Sequence, residues 1–111
     1  MTEIVDVSRI RALNDDLRRS LAGGVLMITA GVIGLGRAKQ MAILDAVASF
    51  DGFDPDNDPY GEGDFGALEV EGERPFFEID YFDRSLTSHS PDPADPSVTT
   101  RVLTIMLAEE Y

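Results

Sequence analysis

Phe65-Gly66-Ala67-Leu68-Glu69-Val70-Glu71-Gly72-Glu73-Arg74-Pro75-Phe76-Phe77-Glu78-Ile79-Asp80-Tyr81-Phe82 is the stretch that decides the fold. Two short runs alternate on either side of Gly72-Glu73, where glycine at the first central position suits a type II′ hairpin turn. That register sets Leu68 opposite Phe77 and Gly66 opposite Ile79 on an inward face. The other face then carries Phe65, Ala67, Glu69, Phe76, Glu78 and Asp80, with Glu71 at its edge, because side chains alternate across a strand. Carboxylates arranged this way repel one another, so solubility alone explains them poorly.

Upstream lies a loop over residues 52–64 that is dense in Asp, Asn, Pro and Gly. Pro55 and Pro59 hold their predecessors extended, and Gly61 and Gly63 allow tight reversals. Phe53, Tyr60 and Phe65 are expected to pin this loop to the body. From Asp51 to Asp83 there are twelve acids and one base, Arg74, so this stretch holds −11 of the chain's formal charge of −12. Residues 1–50 are nearly neutral, and the asymmetry between the two halves is almost complete.

The remaining elements follow from periodicity. Ile10, Leu13, Leu17 and Leu21 recur at helical spacing behind Ser8, a plausible N-cap, which predicts a helix over roughly 8–22 that ends at Gly23-Gly24. Arg11–Asp15 and Asp15–Arg19 fall at i,i+4 on its solvated side. Val25 to Ala30 reads as a buried strand. A second helix from about Arg37 to Phe50 directs Met41, Leu44, Val47, Ala48 and Phe50 to the core. Asp95 and Pro96 are placed to start a last helix, with Val98, Val102, Ile105, Met106 and Leu107 on its apolar side. The expected fold is α+β, in the order helix, strand, helix, two strands, helix. It is a small, mainly antiparallel three-stranded sheet packed on one face by three helices, in one domain over 1–111.

Composition narrows the function. An apolar fraction of 43% excludes general disorder, and the absence of Cys excludes disulfides and thiolate chemistry. The acidic N-terminus does not suit a signal peptide, and no run is long enough to span a bilayer, so a cytoplasmic protein is expected. A pI near 4.2 disfavours direct contact with nucleic acid or anionic membranes and favours a basic partner or a cation. Gly31-Val32-Ile33-Gly34-Leu35-Gly36 has the order G-x-x-G-x-G, not the dinucleotide fingerprint, and reads as a tight packed turn.

Asp54, Asp56 and Asp58 match the first three ligand positions of a calcium loop, but Pro59 stands where Gly is required and Phe65 where the bidentate Glu belongs. An irregular calcium or magnesium site from Asp54, Asp56, Asp58, Glu62 and Asp64 is the alternative to a loop that caps itself with Asx-turns. His89 lies in a polar, proline-rich connection without a nucleophile elbow, and Glu69 with Glu78 would lack a cleft. No catalytic residue, resident metal or cofactor is therefore expected.

The runs Asp54-Pro55-Asp56-Asn57-Asp58-Pro59-Tyr60-Gly61-Glu62 and Asp64-Phe65-Gly66 resemble those of a known family. So do Ser90-Pro91-Asp92-Pro93-Ala94-Asp95-Pro96 and Arg101-Val102-Leu103-Thr104-Ile105-Met106-Leu107-Ala108. These motifs resemble the domain of unknown function 3768 family of small alphaproteobacterial plasmid and phage proteins. Gly63 stands where that pattern carries His, so any role of such a His is absent here. The resemblance implies no activity, but its mobile-element setting favours proteins that counter host defence.

The leading expectation is a non-enzymatic inhibitor of a nucleic-acid-handling complex, of anti-CRISPR or antirestriction type, that occupies a basic surface of a nuclease or CRISPR effector subunit. Glu69, Glu71, Glu78, Asp80 and Asp83 would be the contact charges, with Asp56, Asp58, Glu62 and Asp64 as a second patch. Phe76, Phe82 and Tyr60 would be apolar anchors. An acidic neutralising partner of a basic toxin is a further alternative.

Overall fold

A computed structural model describes residues 6–111. Apart from Asp6, the acidic N-terminus read above lies outside them. The elements are α1 (Val7–Ser20), β1 (Gly24–Ile28), α2 (Ala30–Ile33), α3 (Arg37–Ser49), β2 (Phe65–Ala67), β3 (Pro75–Phe82), β4 (Thr100–Leu107) and a closing 3-10 turn, Ala108–Glu110. The class is α+β, but the sheet has four strands in the order β1-β4-β3-β2, with β1 parallel to β4 and the other pairs antiparallel.

The extra strand is the expected last helix. Along β4, Arg101, Leu103, Ile105 and Leu107 are buried, whereas Thr100, Val102 and Thr104 are half-exposed, a period of two that breaks at the buried Met106. Val98, Val102 and Ile105 imitate helical spacing only while Arg101 is taken for a surface residue. The density of β-branched residues was the overlooked signal. Asp95 does accept from the backbone N–H and hydroxyl of Ser97, but these bonds close a turn.

The hairpin forms two residues out of the expected register. Its turn residues are Glu71 and Gly72, both at positive φ (49° and 84°), and Val70 and Glu73 exchange both backbone hydrogen bonds across them. Gly66 therefore faces Phe77 and not Ile79. A Cβ on Gly66 would lie 2.3 Å from the Phe77 ring, so the absent side chain is what lets the ring lie there. A slip of two residues preserves which face each side chain occupies, so Phe77, Ile79 and Tyr81 still point inward.

The inward face packs against Ile10 and Leu17 of α1, Val32 of α2 and Ile43 and Val47 of α3. Two helical faces are rotated from expectation. Leu21 and Met41 are exposed (43% and 53%), whereas Ile43, Asn14 and Arg18 are buried. Asp6, not Ser8, caps α1, and Leu21, not a glycine, takes the left-handed C-cap. Asp15 pairs with Arg11 and with Arg18, not with Arg19. Arg18 donates to the Val47 and Phe50 carbonyls at the end of α3, which locks the two helices together.

The glycine-rich turn after β1 contains α2, and its first turn holds the Glu110 carboxylate. Glu110 Oε1 accepts from the Thr29 hydroxyl at 2.6 Å, and Oε2 accepts from the Gly31 N–H at 3.0 Å. These bonds keep its carboxyl below the ordinary range, the Thr29 bond most of all. A Cβ at Gly31 would lie 2.5 Å from that carboxylate. Gly31→Ala is expected to cost about 1–2 kcal/mol through overpacking and to be non-additive with Glu110→Ala in a double-mutant cycle by urea unfolding. Additive effects would show that Gly31 and Glu110 do not share this contact.

Candidate functional site

One face of the sheet carries the helices; the other is open. Its cross-strand rows follow from register. Ala67, Phe76 and Met106 form one row, and Phe65, Glu78, Thr104 and Met27 the next; then come Asp80, Val102 and Val25, with Phe82 and Thr100 last. The face is therefore mixed, not uniformly acidic. Phe65 and Phe76 stack edge-to-face at 5.3 Å, and Tyr111 closes the group at 6.0 and 5.7 Å.

Glu78 and Asp80 stand half-buried at the centre of β3, and Asp64, half-buried just before β2, is near enough to repel both. Burial raises the Glu78 carboxyl above its ordinary 4.5, and repulsion from Asp80, a hydrogen bond with Asp80 and repulsion from Asp64 add to the rise. Burial likewise raises Asp64 above 3.8, followed by repulsion from Glu62. Among the described residues, none of the three makes an ion pair with Lys or Arg.

The other acids expected as contacts divide into free and occupied groups. Glu69, Glu71 and Asp56 are exposed. Asp83 caps its own turn, accepting from the Thr87 N–H and the Ser85 hydroxyl, which lowers its carboxyl. Asp58 does not project. It is 8% exposed, accepts from the Gly63 N–H and pairs with Arg11 at 3.5 Å. Asp54 holds the backbone N–H groups of Asp56 and Asn57, so the loop is capped by Asx-turns as one of its readings anticipated. Phe53 pins it, at 4.8 Å from Phe50 and 6.1 Å from Phe77. Tyr60 pins nothing and is 79% exposed.

Glu62 belongs to a buried network unseen in the sequence. Tyr81 donates to Glu62 at 2.7 Å; Asn14 donates to the Tyr81 oxygen at 2.8 Å and to the Glu62 carbonyl at 3.0 Å. Arg101 donates to Asn14 Oδ1 at 2.9 Å and to the Pro93 carbonyl, with its guanidinium 5.2 Å from the centre of the Tyr81 ring. Burial and the bond to Glu62 push the Tyr81 hydroxyl upward. This network ties the acidic loop to α1, on the helix side of the sheet. The loop and the open-face acids are thus different surfaces, and Asp64 lies between them, repelled by Glu62 and Asp58 on one side and by Asp80 and Glu78 on the other. Among the described residues no three Asp, Glu or His side chains converge as a metal site would require, and no helix is long and apolar enough to cross a membrane.

The raised carboxyls make a pH prediction. Because the folded-state values of Asp64 and Glu78 exceed the unfolded ones, the unfolded chain deprotonates first as pH rises. Their stabilisation is fullest below about pH 4 and is lost as pH climbs through their raised values. Asp83, Asp95 and Glu110 have lowered values, so their stabilisation is lost at more acid pH. The Tm should rise as pH falls from neutrality through the raised values of Asp64 and Glu78, and turn down once pH falls through the lowered values of Asp83, Asp95 and Glu110. Glu78→Gln should raise Tm at neutral pH by roughly 2–4 °C, or about 0.5 kcal/mol after solvent screening, and flatten the slope on the neutral side of the maximum. An unchanged slope in calorimetric scans would remove Glu78 as its source.

No curated protein and no solved structure matches this chain. A family profile described as "Protein of unknown function (DUF3768)" matches residues 28–110, from the end of β1 through β4 to the closing turn. With three-quarters of its length matched, including the hairpin and the open-face acids, the chain belongs to the DUF3768 family.

Proposed function

We propose that this protein is a non-enzymatic binding module that docks its open sheet face onto a basic, nucleic-acid-handling protein surface. The carrying observation is the placement of Glu78, Asp80 and Asp64, half-buried close together and, among the described residues, without an ion-pair partner. Like charges held together in partly desolvated positions destabilise the free protein. Lysines or arginines from a partner would relieve that repulsion through charge-assisted hydrogen bonds. Phe76 and Phe82, on the same face, supply apolar contact area, and Glu69 and Glu71 extend the negative field toward the hairpin tip and steer encounter.

Basic grooves that hold nucleic acid are the surfaces whose charge density such a face complements. The specific reading is inhibition of a host defence complex, of anti-CRISPR or antirestriction type, in a bacterial cytoplasm. Asp58, Glu62 and Asp83, occupied internally, drop out of the expected contacts, and Asp64 passes from the second patch to the group around Glu78 and Asp80.

The test is capture from host lysate at low and high salt, with and without competing duplex DNA. A nuclease or effector subunit retained at low salt and displaced by DNA is the expected result. Glu78→Lys with Asp80→Lys should lose that partner while keeping the native circular dichroism. Capture that survives in the folded double variant would sink the proposal. A small basic toxin as the captured protein would move the reading to neutralisation.

A further inference from the structure

The two edges of the sheet are built differently. The β2 edge and its hairpin carry Asp64, Glu69 and Glu71, charges that discourage strand addition, whereas Glu73 is paired with Lys39. At the other edge, β1 contains no charge and no proline, and it lies within an uncharged run, Ser20 to Gly36, in a chain where 27% of residues are charged. Its open-face side chains are exposed, Val25 at 42% and Met27 at 54%.

The backbone geometry defines what fits there. Thr29 donates to the Ile105 carbonyl, so alternate residues Met27 and Val25 bond toward β4. The N–H and C=O groups of Gly24, Leu26 and Ile28 consequently point to the edge that no described strand covers.

We infer that β1 pairs antiparallel with β1 of a second copy about a twofold axis at Leu26, joining two sheets into one of eight strands. In this register Leu26 faces Leu26 of the second copy and Gly24 faces Ile28, giving about six backbone hydrogen bonds. Val25 and Met27 become close cross-strand neighbours on the open face, which covers both exposed side chains. The interface is isologous and closes, so it stops at two copies.

Charge selects this occupant. Two chains at −12 repel wherever their acidic halves meet, and this edge is the stretch where copies can touch without opposing carboxylates. Glu110, beside the end of β1, is held by Thr29 and Gly31. The groove next to Leu21 and Met41 carries both signs, Arg18 and Arg19 with Asp45. The pairing stands independently of the acidic face and leaves Glu78 and Asp80 uncovered.

Sedimentation equilibrium of the full chain, up to about 100 µM, tests it together with amide hydrogen exchange. The expected mass is twice 12.1 kDa, with the Leu26 and Ile28 amides protected and their protection lost on dilution. Met27→Lys, at an exposed site, should give a monomer with native circular dichroism. A monomer at the highest concentration overturns the inference, and so does a dimer with fast-exchanging Leu26 and Ile28 amides. A folded Met27→Lys variant that stays dimeric overturns it as well.

Discussion

Phe77→Ala is expected to lower the unfolding free energy by about 3–5 kcal/mol. The Phe77 side chain is fully buried at the centre of the sheet's inner face. Its ring makes edge-to-face contacts with Phe50 at 5.4 Å and Phe53 at 6.1 Å, and the buried Arg18 guanidinium lies 5.5 Å from its centre. Truncation opens a cavity against Gly66, which has no side chain to fill it, and removes the contact that joins α3 and the acidic loop to β3. For a domain whose whole stability is of order 5–15 kcal/mol, this leaves a marginal fold. Phe76→Ala, one residue along on the open face, should cost far less, about 1–2 kcal/mol. Urea unfolding of both variants checks the alternation. Equal losses would mean that the outer face is as buried as the inner one, which would also remove the surface proposed for docking.

Arg101→Met should cost roughly 2–4 kcal/mol. Arg101 is 2% exposed, and burial lowers its pKa, with no ion pair among the described residues to compensate. Its charge is balanced at a distance by Glu62, through Asn14 and the Tyr81 hydroxyl. Methionine fills much of the same volume but leaves Asn14 Oδ1 and the Pro93 carbonyl without this donor. Arg101→Lys keeps the charge without the planar fork and should fall between the two. Replacing a buried polar group by a well-packed apolar one is sometimes neutral. A methionine variant as stable as the parent would show that the network serves register, not stability.

A basic partner and a stabilising Glu78→Gln substitution make a joint expectation. In the proposed docking the same carboxylate would weaken the free protein and strengthen the complex, so stability should rise as affinity falls. An acidic surface that serves only solubility would show the first effect without the second.

Much of this protein was legible as one-dimensional pattern. The α1 and α3 segments, the hairpin and the inward placement of Phe77 and Ile79 follow from local periodicity, as does the concentration of charge between Asp51 and Asp83. Local energetics dominate there, and a two-residue error in turn position leaves the faces unchanged. The fourth strand was not legible, because an inward Arg101 disguised its alternation; its burial depends on Asn14, a residue 87 positions away. Nor could local pattern sort the acids. Asp58 and Asp64 sit six residues apart in one acidic run, yet Arg11 and the Gly63 N–H claim the first, whereas the second stands beside Glu78 and Asp80. Net charge is a property of composition alone. Which carboxylates remain free to meet a partner depends on groups brought together from distant parts of the chain, and only tertiary packing decides that.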